Sequence, residues 1–573
     1  MVEPIHRLLE THATRHPDKA ALIFKHGAAW DTLTFHQLFD RSEQIARGLT
    51  SLNLHAGQRA ALMSPPSVDF FALCFALLKT GIIPVMVDPA IGLANVTACI
   101  NESQPEIFIG NNLTHALRKI YGWGKESVKV NITVSQFGHS RQTAEGSTQN
   151  AEGEKQKADP LTKSPSEKPS ERGLQSARPA DLSLYSDIRI NYQLPFTNSA
   201  AIIYTSGSTG IPKGAIYSHE NFAAQLNMLT ATFDIHPDEI DLPAFPLFAL
   251  IDVLLGVTSV IPDMRFPPPA KVDPAKATDA INRFNVTNMF ASPIMLDHVA
   301  GYALARGLQL PSLKRVITAG APAPVSVLER ATKLLPDASI FGIYGATESL
   351  PITVINSKEI LNETRHLSAQ GAGVCIGKPV DGAVVRIIRI SDSAIQRWDD
   401  SLELPVNEVG EITVKGRAVT KEYVARADAN RLAKIDDRGE TVHRMGDLGY
   451  FDEHGRLWYC GRKSHRVETR HGTFFTEQIE GIFNSHPLVY RTALVGMDSE
   501  PVLWIELESH ARRADKSVIR RELIALAKNH PQAARIKTFL FAKTFPTDVR
   551  HNSKIIREKL SKLAASLNPE GMK

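Results

Sequence analysis

Long apolar runs are missing from this sequence. No stretch reaches the roughly 18 consecutive apolar residues that a membrane-spanning helix needs, and the apolar run Phe70–Leu78 ends at Lys79-Thr-Gly. We therefore expect a buried helix there and no transmembrane segment. The first residues also lack the basic and then apolar order of a signal peptide, so we expect a cytoplasmic protein.

Cysteine and net charge are also scarce. The 4 cysteines, at positions 74, 99, 375 and 460, stand far apart and form no C-x-x-C pair. This spacing argues against a structural zinc site and is typical of a reducing compartment. The net charge of +4 is small for 573 residues, so composition offers no argument for a nucleic-acid partner.

Short apolar strands alternate with helical patterns over most of the chain. Several strands end at Gly, Asp or Ser, and a helical pattern then follows. This order predicts layers of parallel α/β structure, with ligands bound beyond the carboxyl ends of the strands. A chain of 573 residues is too long for a single core, so we expect several domains.

Changes in composition predict where the domains begin and end. Residues 139–182 are rich in Ser, Gln, Lys, Glu, Gly and Pro, which predicts a disordered insertion. Residues 373–463 are rich in strand patterns and predict a small β-barrel-like subdomain. A compact α+β pattern follows. We therefore predict an N-terminal domain over residues 1–463 and a C-terminal domain over residues 464–573.

The most informative run is Ile203-Tyr-Thr-Ser-Gly-Ser-Thr-Gly-Ile-Pro-Lys213-Gly, which follows an apolar strand. Its small side chains let backbone N–H groups close around phosphate oxygens. The hydroxyls add donors, and Lys213 adds a positive charge. It is no Walker loop, because no Gly-Lys is followed by Ser or Thr at the required spacing. A flexible Ser/Gly turn is the plainer alternative, but the helix start at Ser218 favours a polyphosphate site.

Four further motifs follow in order. They are Tyr344-Gly-Ala-Thr-Glu348, Gly377-Lys-Pro with Gly382, Arg444-Met-Gly-Asp447-Leu-Gly and Asn552-Ser-Lys554-Ile. Together with the loop they resemble the motifs of the adenylate-forming superfamily, which includes acyl-CoA synthetases, peptide-synthetase adenylation domains and luciferases. The resemblance extends over most of the chain. It implies an AMP-forming ligase that uses ATP and Mg²⁺, with a small mobile C-terminal domain.

The resemblance also implies roles for individual residues. The phosphates of ATP would be held by Thr205, Ser206, Gly207, Ser208, Thr209, Gly210 and Lys213. The adenine would be lined by Gly320, Ala321, Pro322, Tyr344 and Gly345, with Thr347 at the α-phosphate. Asp447 would accept hydrogen bonds from the ribose hydroxyls, and Arg462 would also reach the nucleotide.

The implied catalytic residues are Thr205, Glu348 and Lys554. Glu348 would bind Mg²⁺ through a hard carboxylate oxygen, although a Glu at a helix start would have the same sequence context. Lys554 would bridge the substrate carboxylate and the α-phosphate. Lys559 and Lys562 are alternative lysines in the same tail, but the Asn-Ser-Lys-Ile context favours Lys554.

Three departures from the commonest acyl-CoA ligase pattern resemble one subgroup, the olefin-biosynthesis β-lactone synthetases. The lysine motif has Asn552-Ser-Lys in place of Ser-Gly-Lys, the hinge position has Ser464 in place of Asp or Lys, and Ala249 stands where His is frequent. The subgroup implies adenylation of a 2-alkyl-3-hydroxy fatty acid, followed by attack of its β-hydroxyl on the activated carbonyl. Other enzymes of an olefin pathway are the partners that this resemblance implies.

Two other interpretations stay open. A fatty acyl-CoA ligase, or an acyl-AMP ligase that loads a carrier protein, would use the same adenylate and then require a thiol. A non-enzymatic binding protein is disfavoured because the motif residues are intact. His298 and His551 are candidates for the base that ring closure requires. We expect the acyl pocket among apolar residues of segments 245–255 and 289–296.

Overall fold

The structure is a computed structural model that describes residues 4–134, 180–181, 198–205, 212–263, 272–470, 472–547 and 554–566. In these residues the helices are α1 Arg7–Arg15, α2 Phe35–Ser51, α3 Val68–Thr80, α4 Leu93–Ser103, α5 Asn112–Tyr121, α6 His219–Phe233, α7 Pro246–Leu254, α8 Pro274–Phe284, α9 Pro293–Ala305, α10 Val325–Leu334, α11 Ser357–Glu359, α12 Arg365–Ala369, α13 Ala427–Ala433, α14 Thr476–Phe483, α15 Lys516–Lys528 and α16 Arg557–Ser566.

The strands follow the same chain order. They are β1 Ala20–His26, β2 Ala29–Thr34, β3 Arg59–Met63, β4 Ile83–Met86, β5 Ile107–Gly110, β6 Val130–Thr133, β7 Ala180–Asp181, β8 Ser199–Tyr204, β9 Gly214–Ser218, β10 Ile240–Pro243, β11 Thr258–Val260, β12 Asn288–Ala291, β13 Arg315–Thr318, β14 Ser339–Ala346, β15 Ser349–Asn356, β16 Val374–Cys375, β17 Lys378–Pro379, β18 Val384–Ile388, β19 Gly410–Lys415, β20 Lys434–Asp437, β21 Glu440–Phe451, β22 Leu457–Arg462, β23 Val467–Thr469, β24 Gly472–Phe474, β25 Val489–Met497, β26 Glu500–Leu507 and β27 Thr538–Ala542.

Two large sheets contain the strands that the sequence places before residue 370. One has the order β17-β15-β14-β13-β12-β10-β11-β1-β2, and the other has the order β7-β6-β5-β3-β4-β8-β9. Strands β10, β12, β13 and β14 run parallel to one another. Their carboxyl ends therefore meet at one edge of the first sheet, where open α/β sheets bind ligands.

Local sequence explains where the helices of these layers begin and end. The Ser67 side chain accepts a hydrogen bond from Phe70 N–H at the start of α3, and Gly81 ends the helix in the left-handed conformation with φ 67°. This apolar helix is buried on nearly every face, as predicted. At α6, Ser218 and Asn221 form a capping box.

The β-rich pattern after residue 373 forms a third sheet, with the order β16-β22-β21-β19-β18 and β20 paired to β21. Beyond it, β25, β26 and β27 form a three-stranded sheet whose core includes residues of α14 and α15. The boundary at residues 463 and 464 stays a prediction.

The predicted insertion lies mostly outside the described residues. Its last part overlaps β7, because Ala180 and Asp181 pair in parallel with Ile132 and Thr133 of β6. The predicted end at residue 182 therefore includes two residues of a sheet. Among the described helices, none is long and apolar enough to cross a membrane.

Candidate active site

A buried carboxylate marks the junction of the first and third sheets. Asp447 of β21 is 3% exposed, and its Oδ2 accepts a hydrogen bond of 2.7 Å from the Tyr344 hydroxyl of β14. Its Oδ1 lies 3.1 Å from Nη1 of Arg462, at the end of β22. The antiparallel register pairs Asp447 with Arg462, so the sheet itself places these two charges side by side.

Oδ1 of Asp447 has spare acceptor capacity. It is buried, and no described residue gives it a directed hydrogen bond, so the 3.1 Å contact with Arg462 is an ion pair without hydrogen-bond geometry. Loss of hydration raises the pKa of Asp447, while Arg462, the Tyr344 hydrogen bond and Lys554 act to lower it. The site thus holds an acceptor that a ligand hydroxyl can use.

Glu348 lies in the turn between β14 and β15, next to Thr347. Its carboxylate Oε1 accepts a hydrogen bond of 2.5 Å from the Tyr423 hydroxyl, and its backbone carbonyl accepts one of 2.8 Å from Thr420 N–H. The Thr347 carbonyl accepts a hydrogen bond from the buried Tyr217 hydroxyl. Three residues distant in sequence therefore hold this turn.

Gly345 stands in the same hairpin, where there is no room for a side chain. A Cβ at this position would lie 2.8 Å from the carbonyl oxygen of Ser349 and 2.7 Å from the Leu350 side chain. Any other residue would displace β14, which holds Tyr344, and the turn that holds Thr347.

The two ends of the predicted phosphate loop are joined at its base. Thr205 N–H donates to the Lys213 carbonyl at 2.9 Å, and Lys213 N–H donates to the Thr205 hydroxyl at 3.2 Å. The Lys213 ammonium lies 5.2 Å from the centre of the Tyr423 ring, on the residue that binds Glu348. Ser206, Gly207, Ser208, Thr209 and Gly210 lie outside the described residues.

Lys554 lies close enough to Asp447 to influence its pKa. Ile555, the residue after Lys554, forms an antiparallel β-bridge with Thr547. Two residues after that bridge, Arg557 donates to both carboxylate oxygens of Glu480, at 2.6 and 2.7 Å. This buried ion pair fixes the segment that carries Lys554.

Comparison with known proteins agrees with this geometry. The family model for AMP-binding enzymes matches residues 9–424. The chain belongs to this family. This membership confirms the prediction of an AMP-forming ligase.

Two relatives match this chain over almost its whole length. It is 42% identical over 570 residues to an olefin beta-lactone synthetase of Xanthomonas campestris, with 96% of each chain covered. It is 40% identical over 550 residues to an olefin beta-lactone synthetase of Stenotrophomonas maltophilia, with 94% of this chain and 92% of that one covered. A long-chain-fatty-acid–CoA ligase of Escherichia coli is 26% identical over 504 residues. The predicted likeness to this subgroup is confirmed.

Solved structures of the family share the fold. An O-succinylbenzoate coenzyme A synthetase from Bacillus subtilis in complex with AMP has a TM-score of 0.70 at 20% identity, with 97% of this chain and 98% of that one covered. An amide bond synthetase from Marinactinospora thermotolerans has a TM-score of 0.74 at 19% identity, with coverage of 98% and 100%. These likenesses confirm the predicted α/β class with a large N-terminal and a small C-terminal domain.

The other predicted site residues are the turn of residues 320–322 and the two histidines proposed as bases. Thr318 of β13 pairs with Gly342 of β14, so the turn of Gly320, Ala321 and Pro322 follows at the sheet edge where Tyr344 lies. His298 is exposed on α9, and His551 lies outside the described residues.

The two apolar segments are mainly core. Val253, Leu254, Met289, Met295 and Leu296 are buried. By contrast, Phe245, Phe248 and Phe290 are only half-buried. Phe248 stacks on Phe290 with ring centroids 3.8 Å apart, and Phe245 lies 6.1 Å from Phe248. This aromatic group lies at the carboxyl ends of β10 and β12.

Sequence reasoning missed Tyr423, Thr420 and Lys434. The Lys434 ammonium donates to the Thr420 carbonyl at 2.5 Å and lies 5.3 Å from the centre of the Tyr423 ring. The only sequence signal is a lysine at the start of a short strand pattern, which is too common to indicate a site by itself.

Proposed function

We propose that this protein is an ATP-dependent β-lactone synthetase that acts on a 2-alkyl-3-hydroxy fatty acid. The observation that carries the proposal is the 42% identity, over 96% of the chain, to an olefin beta-lactone synthetase. The contacts of Tyr344 and Arg462 with the buried Asp447 carboxylate support the nucleotide part of the reaction.

Asp447 accepts hydrogen bonds from the two ribose hydroxyls of ATP. A carboxylate only accepts, and two neighbouring hydroxyls supply donors for it. Tyr344, Gly345 and the Gly320-Ala-Pro turn line the adenine, while Arg462 contacts the nucleotide beside Asp447. Thr347 contacts the α-phosphate. Thr205, Lys213 and residues 206–210 hold the β- and γ-phosphates and then the pyrophosphate.

The Glu348 carboxylate is a suitable ligand for a Mg²⁺ ion that binds together with ATP. Magnesium is usually held by one or two carboxylates together with substrate phosphates and water. Within the described residues no group of three His, Cys, Asp or Glu side chains gathers as a metal cage, whereas the Glu348 carboxylate is fixed by Tyr423. Bound Mg²⁺ would neutralise charge on the phosphates. Glu348 would supply the protein ligand.

Lys554 lowers the barrier to adenylation. One oxygen of the substrate carboxylate attacks the α-phosphorus, and the bond to the pyrophosphate oxygen breaks. Negative charge accumulates between the carboxylate and the α-phosphate in this step, and a fixed ammonium there stabilises it. The products are the acyl adenylate and pyrophosphate.

Ring closure needs no second substrate. The β-hydroxyl oxygen forms a bond to the activated carbonyl carbon, the bond to the AMP oxygen breaks, and the hydroxyl proton is released. Because the nucleophile and the carbonyl belong to one molecule, the attack gains from proximity. The half-buried aromatic group of Phe245, Phe248 and Phe290 provides an apolar contact for the acyl chains.

Product analysis tests this function. The enzyme is incubated with ATP, Mg²⁺ and a racemic 2-alkyl-3-hydroxy fatty acid, with and without CoA, and the extract is examined by proton NMR. We expect lactone ring protons together with AMP, independent of CoA. The matching 2-alkyl acid without the hydroxyl should support pyrophosphate exchange and give no lactone. Acyl-CoA as the product, formed only with CoA, would refute the synthetase and leave an acyl-CoA ligase.

A further inference from the structure

A group of residues from β20 and from the segment between β19 and α13 holds Glu348 from one side. We call Lys434, Thr420 and Tyr423 the Lys434 cluster. Thr420 and Tyr423 are buried, Lys434 begins β20, and Tyr423 and Thr420 donate to the side chain and the backbone of Glu348, respectively. None of the three belongs to the motifs that suggested the site.

Lys434 connects to Glu348 through both of its neighbours. Its ammonium donates to the carbonyl of Thr420, whose N–H donates to the Glu348 carbonyl at 2.8 Å. The ammonium also lies 5.3 Å from the centre of the Tyr423 ring, whose hydroxyl donates to the Glu348 carboxylate at 2.5 Å. A cation at this distance from an aromatic ring is attracted to its π face.

Lys434 is unusual because its side chain is partly buried without an ion pair. In the part of the chain that the structure describes, no carboxylate lies within ion-pair distance of its ammonium. Loss of hydration lowers the pKa of Lys434 to about 7, Glu348 acts to raise it, and Lys213 acts to lower it. An unpaired amine is expensive to place here, and a methionine could fill a similar volume.

We propose that Lys434 is a positioning residue, which holds Thr420 and Tyr423 so that the backbone and carboxylate of Glu348 are fixed before magnesium-bound ATP arrives. The inference rests on the proposed function, since it assigns Glu348 to the metal. Lys434 touches neither the nucleotide nor the acid. Its removal should therefore weaken the use of Mg²⁺ much more than the binding of ATP itself.

The first test compares Lys434→Met and Lys434→Arg with wild type in pyrophosphate exchange, at saturating ATP and increasing free Mg²⁺. We expect Lys434→Met to raise the Mg²⁺ concentration for half-maximal rate about tenfold, the effect of losing a hydrogen bond to a charged group. The rate at saturating Mg²⁺ should fall much less, and Lys434→Arg should recover part of the loss. Lys415→Met is the matched control, because Lys415 is a strand lysine of the same sheet that pairs with Asp437.

The second test measures binding without turnover. The shift in melting temperature on adding ATP is recorded with Mg²⁺ and with a chelator. In Lys434→Met we expect the shift with chelator to match wild type and the additional shift from Mg²⁺ to shrink. Equal loss in both conditions would overturn the proposal, since Lys434 would then act as a phosphate-binding cation. An unchanged Mg²⁺ dependence would overturn it as well.

Tyr423→Phe keeps the proposal testable if Lys434→Met does not fold. It removes only the hydroxyl that binds Glu348, so it should raise the Mg²⁺ requirement in the same direction. A wild-type Mg²⁺ requirement in Tyr423→Phe would overturn the proposal. Failure of the proposed function looks different: wild type would form no lactone, while the Mg²⁺-dependent shift with ATP would persist.

Discussion

Arg444 and Asp447 stand three positions apart on β21, and both are 3% exposed, yet their surroundings differ. All five N–H donors of Arg444 are used, by Glu411 and by the carbonyls of Ser391, Ser393 and Leu432. The Glu411 carboxylate also binds Lys463 at 3.0 Å. The Arg444 guanidinium therefore has a hydrogen-bond acceptor for each of its N–H groups.

Asp447 is only partly satisfied. It has one directed hydrogen bond, from Tyr344, and Oδ1 has none from the described residues. Burial without full hydrogen bonding costs free energy. The comparison teaches that one motif contains two kinds of buried charge. Arg444 stabilises the sheet, whereas we propose that the spare acceptor of Asp447 serves a ligand. The following variants test that division, from the largest expected effect to the smallest.

Arg444→Met should destabilise the protein strongly. It leaves the buried Glu411 carboxylate with Lys463 alone, and breaking a buried ion pair typically costs about 3–5 kcal/mol. Urea unfolding measures the loss. Arg417→Met is the control, because Arg417 forms an exposed pair with Glu220 that should contribute less than about 1 kcal/mol. Equal stability of the two variants would contradict a structural role for Arg444.

Lys554→Ala should reduce adenylation about 100- to 1000-fold, the usual effect of removing a donor at developing charge. ATP binding and the free energy of unfolding should change little. Pyrophosphate exchange measures the rate, and Lys559→Ala, an exposed lysine on α16, is the matched control. Normal exchange in Lys554→Ala would remove Lys554 from the catalytic residues.

Asp447→Asn should weaken ATP binding about 10- to 100-fold, since hydrogen bonds to a charged group contribute about 1.5–3 kcal/mol. Isothermal titration calorimetry measures the affinity. Unaltered affinity would show that the spare acceptor at Oδ1 is not a ribose site.

The stability of the same variant relative to wild type should rise from acid toward neutral pH. Burial raises the pKa of Asp447 in the folded protein, so its folded form binds the proton more tightly than its unfolded form does. The resulting stability is present at low pH and is lost as pH rises through the raised pKa. Asparagine removes this loss. The stability gain in Asp447→Asn should thus grow from acid toward neutral pH, and a constant difference would argue against it.

Tyr344→Phe should have the smallest effect. It removes one 2.7 Å hydrogen bond to Asp447 while keeping the ring beside the adenine site, so ATP affinity should fall only about 3- to 10-fold. The pKa of Asp447 should rise further, because this hydrogen bond lowers it. A loss as large as that of Asp447→Asn would indicate that the hydroxyl itself binds ATP.

The sequence correctly predicted features that depend on short local patterns of residues. The place of Gly345 at the adenine stays a prediction, although its contacts leave no space for a Cβ. Helices α3 and α6 follow from their capping residues and apolar patterns. Tyr423 was not found, because its contact with Glu348 joins segments more than 70 residues apart, and Lys434 was not found because it reaches Glu348 only through Thr420 and Tyr423. Hydrophobic periodicity in a sequence does not indicate which distant residues will be in contact.

The sequence by itself determined the layered α/β class, the order of the motifs and the family, since these depend on local apolar periodicity and on short runs of particular residues. Only the tertiary structure decided which buried charges are satisfied. Arg444 and Asp447 share one motif, but their partners come from β14, β19 and β22 and from loops between them. Solvation and pKa depend on all atoms around a charge, and folding alone brings those atoms together.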